Sequence, residues 1–183
     1  MDKFILDKND AVLLIIDIQD KLAAVMKMRD VMVKNCLHLI ELAKMQGIPV
    51  VVTEQYPKGL GRTVGEIQAA LPLYKPVEKV AFNCCAEPAF LAEIKKLGKK
   101  KVIVTGMETH ICVLQTSLGL LQAGLDVHLV RDAVCSRTEE NWKTGVEFIR
   151  DAGAVATCVE TVLFQLLKIA GTEDFKRIVQ RIK

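Results

Sequence analysis

Several function classes find little support in this sequence. Nowhere in its 183 residues does an apolar run approach the length that a bilayer crossing requires. The charged opening "MDKFILDKND" lacks the long apolar core and small-residue cleavage site of a secretory signal. Neither a membrane partner nor export is expected. Clustered basic charge is scarce too: the formal net charge is +3, with acidic residues interspersed among the basic ones, which leaves no footprint for nucleic acid. The one basic run, "KKLGKKK" at 95–101, lies between a helical and an extended pattern and reads as a solvated turn. Histidine is rare, with only His38, His110 and His128, the first on a helical pattern and the last within a strand pattern, so neither a metal site nor a cofactor is expected. Six cysteines occur without the regular spacing of a disulfide framework. They read as reduced thiols in a cytoplasmic setting. No linker, low-complexity tract or internal repeat divides the chain, and a single domain over 1–183 is the expectation.

What is present is a core-forming alternation. At 51% hydrophobic, the chain can bury a full core without a metal or disulfide staple. "AVLLIID", "IPVVVTE", "KVIVTG", "LDVHLVRDA" and "AVATCVE" are short apolar runs rich in β-branched residues, as strands buried on both faces of a parallel sheet require. Between them lie the helical periods "VMVKNCLHLIELAKMQG", "AEPAFLAEIKKLG", "HICVLQTSLGLLQAG" and "TEENWKTGVEFIRDAG", each closed by a glycine that releases the chain from the helix. The segment from Thr161 to Lys183 reads as helical. This order predicts a three-layer α/β domain with right-handed crossovers.

Ligands of such sheets bind outside the carboxyl ends of the strands, and chemistry-bearing residues gather there. Asp17 ends the first run, Lys79 sits in an extended stretch among apolar neighbours, and Cys112 follows "KVIVTG" at a predicted helix start. Each has an ordinary reading: helix cap, snorkelling lysine, buried thiol. Together they also suit nucleophilic catalysis. A helix N-terminus and a nearby ammonium would favour the thiolate of Cys112. A carboxylate could take the thiol proton and return it to a leaving group, and turn N–H groups could hold an oxyanion. The irregular stretch "TEQYPKGLGRT" at 53–63 should overhang the same edge as a flexible lid.

Asp17 in "LLIIDIQDKL", Lys79 in "VEKVAFN" and Cys112 in "VIVTGMETHICVLQT", followed by "GLDVHLVRDA", together resemble the isochorismatase-like cysteine hydrolase superfamily from about Ala11 to Leu167. The resemblance implies a six-stranded parallel sheet between helices, an Asp17-Lys79-Cys112 triad, and a cis peptide before Glu108 that aims the backbone N–H groups of Glu108 and Cys112 at an oxyanion. The histidine-bearing metal motif of the nicotinamidases in this superfamily is missing, for "TEQYPKGLG" stands in its place. The expectation is a metal-independent, cofactor-free hydrolase of a small amide, imide or ester-like substrate, with Gln19, Gln55, Tyr56 and His110 as candidate substrate contacts. A catalytically silent or redox-sensing member of the same fold is the alternative. The resemblance also implies a homo-oligomer.

Overall fold

The predicted alternation folds into one sheet between two helical layers. In a computed structural model, which describes residues 2–183, the strands are β1 (Ala11–Ile16), β2 (Val50–Gln55), β3 (Val77–Lys79), β4 (Lys101–Met107), β5 (Asp126–Cys135) and β6 (Val155–Thr157). All pair in parallel, in the order β3-β2-β1-β4-β5-β6. The chain starts mid-sheet at β1, winds outward through β2 to β3, and then returns to place β4 on the free side of β1. That reversal makes the carboxyl ends of β1 and β4 a topological switch point, where the connecting segments diverge and leave a crevice.

Every residue of β1 is buried, because each face of the sheet has its own core. Val12, Leu14 and Ile16 join Val102, Val104 and Phe90 on one side, whereas Leu13 and Ile15 join Ile103, Leu39 and Val162 on the other. Full burial of such side chains contributes roughly 1.5–3 kcal/mol each before conformational entropy is charged against it. The helices are α1 (Asp20–Ala23), α2 (Arg29–Gln46), α3 (Pro57–Leu60), α4 (Gly65–Ala70), α5 (Pro88–Leu97), α6 (Leu114–Gln122), α7 (Glu139–Asp151), α8 (Val159–Leu167) and α9 (Glu173–Ile182). Of these, α2, α4, α8 and α9 cover the Leu13 side and α5, α6 and α7 the Phe90 side. Among the described residues no helix is long and apolar enough to cross a membrane.

The structure corrects the sequence reading in three places. The stretch 161–183 is not one helix: Lys168 takes a left-handed φ of 62°, and α9 restarts with Thr172 Oγ1 accepting from the Phe175 N–H at 3.2 Å. The basic run is not uniformly solvated, because Lys101 opens β4 and is buried, its Nζ donating to the Ile5 carbonyl at 2.6 Å. The stretch 53–63 is no free lid. Thr53 to Gln55 belong to β2, α3 follows, and the remainder is pinned by Arg62 O accepting from Asp20 N (2.9 Å) and Glu54 Oε1 accepting from Thr63 N (2.7 Å).

Candidate active site

Three strand ends supply the buried ionic centre. Directly after β1, Asp17 adopts a left-handed φ of 51°, uncommon for a residue with a side chain. Its carboxylate has no exposed surface: Oδ1 accepts from Thr53 Oγ1 at 2.7 Å, and Lys79 Nζ stands 2.7 Å from Oδ2, close enough for an ion pair though off the hydrogen-bond axis. Lys79 ends the edge strand β3 in register with Gln55 of β2. Gln55 Oε1 accepts from the ammonium at 2.6 Å, and the carbonyls of Ala81 (3.2 Å) and Phe82 (3.4 Å) complete its surroundings. Gln55 is itself fixed, its Nε2 donating to Val80 O at 2.6 Å. Burial alone would pull the Lys79 ammonium down, but the Asp17 charge, with Cys84 and Cys112 beside it, holds its pKa above the ordinary lysine value.

Cys112 arrives from β4. The Met107–Glu108 peptide is cis, and the chain then passes through a π-helical turn at Thr109–Val113 before α6 begins, so the cysteine lies in that turn rather than at an α-helix start. The turn closes on one carbonyl, Glu108 O, which accepts from Ile111 N (3.1 Å) and Val113 N (3.2 Å). Two glycines allow the close approaches around it. A Cβ on Gly106 would stand 2.0 Å from Ile16 O of β1, and one on Gly145 of α7 would stand 2.9 Å from His110 N. Cys112 is 5% exposed. Burial pushes its thiol well above the ordinary range, and the charge of the Asp17 carboxylate pushes the same way, with Lys79 opposing. The thiolate-favouring effect expected of a helix start and a nearby ammonium is therefore outweighed by burial, and Asp17 is left to accept the proton of a neutral thiol. The ammonium's effect on the sulfur is offset by the Asp17 charge beside it.

The outlying candidates divide. Gln19 has no exposed surface, and its amide is spent on the framework: Oε1 accepts from Gln55 N (2.7 Å), while Nε2 donates to Gln55 O (3.0 Å) and Gly61 O (2.7 Å). The expectation of substrate contact there meets a side chain without free donors. Gln55 likewise serves Lys79. Tyr56 is exposed at a φ of 37°. His110 Nδ1 lies 3.0 Å from Ser136 Oγ, and Glu108 Oε2 accepts from Arg137 N (3.0 Å) and Nε (3.2 Å), so the turn is tied to the end of β5. Thr53 and Cys84 were missed as site residues. Cys84 is wholly buried, its Sγ donating weakly to Thr53 Oγ1 (3.8 Å) and its N–H to Thr116 Oγ1 (3.0 Å). Nothing local in "VVVTEQ" or "FNCC" distinguishes either residue; the pairing of β2 with β1 places Thr53, and Cys84 follows from its contacts with Thr53 and Thr116.

Residues 11–161 match the isochorismatase domain. The chain belongs to the isochorismatase family. Isochorismatase family protein 1A of Dictyostelium discoideum is 38% identical over 180 residues, covering 95% of this chain and 86% of that protein. Among solved structures, MAR1 ribonuclease from Caenorhabditis elegans superposes with a TM-score of 0.89 at 35% identity, over 97% of this chain and 91% of that one. Two YcaC structures are similarly close, each 27% identical and covering 97% of this chain. The Pseudomonas aeruginosa protein, with hexane-2,5-diol and covalent acrylamide, gives a TM-score of 0.91 over 91% of its own chain, and the Escherichia coli protein, an octameric hydrolase of unknown specificity, gives 0.90 over 90%. This family member is thus of the hydrolase fold. Among its described residues no group of three or more His, Cys, Asp or Glu side chains is arranged to hold a metal ion.

Proposed function

We propose that this isochorismatase-family hydrolase cleaves a small amide, imide or ester-like substrate by covalent catalysis at Cys112. The observation that carries the reading is the buried Asp17–Lys79 ion pair at the ends of β1 and β3, whose two charges both act on the thiol of Cys112 in the turn after β4. Cys112 Sγ attacks the substrate carbonyl while its proton passes to Asp17, since the thiol is held neutral until a substrate arrives. A sulfur–carbon bond forms, and the oxyanion is held by the N–H groups of Glu108 and Cys112. Collapse breaks the carbon–nitrogen or carbon–oxygen bond, and Asp17 returns the proton to the leaving group. Water then attacks the thioester, gives a proton to Asp17, and the thiol recovers it as the acid departs. Lys79 keeps the carboxylate oriented and charged. Thr53 and Gln55 are positioning residues for Asp17 and Lys79.

Covalent acrylamide on the Pseudomonas aeruginosa protein supports a reactive nucleophile in this fold. Intact-mass measurement on a panel of small amides and esters tests the reading. An acyl adduct that maps to Cys112 is expected, with turnover lost in Cys112→Ala; full turnover in that variant ends it. The ribonuclease name of the Caenorhabditis elegans protein raises a second reading, cleavage of RNA. The dispersed charge disfavours it, and a labelled RNA left intact by protein that turns over an amide would remove it. The octameric Escherichia coli neighbour supports a homo-oligomer, checked by light scattering. Six free thiols fit a cytoplasmic setting.

A further inference from the structure

A cavity of about 570 Å³ opens between the start of α2 and the segment joining β5 to α7, at the carboxyl end of β5. That volume is in the range of small-molecule sites, and none of the triad lines it. Its floor is apolar, made by Met28, Val31, Met32 and Val134, with Met28 and Val31 more than half exposed. Trp142 forms a wall. The indole is locked by its N–H donating to Arg131 O at 3.0 Å, and the Arg131 guanidinium lies over the ring, 5.5 Å from its centre.

The charge around this apolar floor is unevenly committed. Lys27 and Arg131 both line the cavity, and among the described residues neither takes part in an ion pair. A third cation, Arg137, is spent on Glu108. The two carboxylates present are occupied elsewhere or well placed where they are. Asp132 Oδ1 accepts from Val159 N at 2.9 Å, and Glu139 lies in the first turn of α7, where the helix dipole favours an anion. Two cations without a carboxylate partner therefore line an open apolar surface, Arg131 from over the Trp142 ring.

We infer that this cavity binds a small organic monoanion, an apolar body of one or two rings carrying a carboxylate. The body rests on Met28, Val31 and Trp142, and the carboxylate pairs with Arg131 and Lys27. Arginine suits a carboxylate because its planar fork matches both oxygens. A second copy of the chain is the other occupant an exposed apolar wall invites. The cavity's concave shape argues against it, since a twofold contact sets the same wall against itself and would leave the hollow unfilled.

Trp142 is the only tryptophan in the chain, so intrinsic tryptophan emission reports on this cavity alone. Titration with benzoate at constant ionic strength is expected to give a saturable change, with its neutral isostere benzamide binding at least tenfold more weakly. Arg131→Gln should weaken benzoate tenfold or more and Lys27→Gln severalfold; Lys27 is exposed, so the second variant keeps the test valid if the first folds poorly. No saturable change, equal binding of benzamide, or affinity indifferent to both substitutions overturns the inference. Emission that varies with protein concentration, with benzoate losing its effect as the chain associates, assigns the cavity to a second copy and overturns it equally. The readout does not pass through Cys112, so the inference stands or falls apart from the hydrolase mechanism.

Discussion

The sheet buries a lysine at each end, and the two are held in opposite ways. Lys79 at the carboxyl edge and Lys101 at the amino edge are each 3% exposed. Lys101 leads its ammonium outward, to the Ile5 carbonyl and to Asp2, a carboxylate that is largely in solvent. The Lys101 side chain is itself only 4% exposed, so it is the partner carboxylate rather than the ammonium that reaches water. Lys79 has no such exit. Its charge meets a carboxylate with no exposed surface, a buried amide and two carbonyls. A buried ion pair of this kind is seldom more stabilising than apolar side chains of the same volume. Lysine burial alone therefore says little about function. What sets the candidate site apart is a charge that the fold keeps from water at a cost and surrounds with partners.

The largest expected effect comes from breaking the two lysines in parallel. Lys79→Met leaves Asp17 buried without its counter-charge and should cost about 3–5 kcal/mol in urea unfolding, while abolishing the acyl adduct at Cys112. The double variant Asp17→Asn with Lys79→Met should recover much of that stability and none of the adduct. Lys101→Met should cost about 1 kcal/mol and leave adduct formation unchanged. Equal losses at the two ends would erase the distinction.

A second pair of substitutions sharpens it within the carboxyl edge. Thr53→Val keeps the volume but removes the donor to Asp17 Oδ1, so about 1–3 kcal/mol of stability and at least tenfold in the rate of adduct formation should go. Thr53→Ser restores the hydroxyl and should return the rate to within a few fold. Failure of serine to rescue would reduce Thr53 to packing.

Glycines at the two edges make a third, smaller contrast. In Gly145→Ala the new methyl meets the backbone of the Cys112 turn, and overpacking of about 1–3 kcal/mol should come with slower adduct formation. Gly98→Ala strains a left-handed cap, φ 62°, that leads into the amino end of β4. It should cost about 1 kcal/mol and leave the chemistry alone. An adduct rate that falls in both would mean that any loss of stability reaches the site.

This asymmetry was only partly legible in the sequence. Asp17 and Cys112 could be picked out because each follows an apolar run, and the end of a buried strand is a place that local pattern reveals; Lys79 stood out only as a charge in an extended stretch among apolar neighbours. Five of the strands were legible as apolar runs, the sixth came only with the family resemblance, and the strand order came from neither. Thr53 was absorbed into a supposed lid because its role depends on β2 lying beside β1, a pairing no local pattern carries. Lys101 was masked by its basic neighbours, although its own position opens a strand. The sign of the Cys112 shift was misjudged for a related reason: burial and a neighbouring carboxylate are sums over the folded surroundings, whereas a helix start can be read from spacing.

The smallest effect belongs to the amino edge and involves proton uptake. His128, in β5, is 1% exposed, and burial, with the nearby Lys101 charge, holds its imidazolium below the ordinary histidine range despite the opposing pull of the Lys3 backbone and the charge of Asp126. Its folded pKa is therefore lower than its unfolded one, which is about 6.5. Below that pH the unfolded chain takes a proton that the folded chain refuses, so stability falls on acidification and levels off once the folded value is passed. His128→Gln should flatten the stability profile between roughly pH 6.5 and the acid plateau while leaving the Cys112 adduct rate untouched. The other partly masked histidine is His38 on α2, lowered first by burial and then by Arg181 and Lys34. A profile that flattens in His38→Gln but not in His128→Gln would move the acid sensitivity from the strand edge to the helical layer. It would also leave the amino edge without any titrating counterpart to the ion pair at the other end.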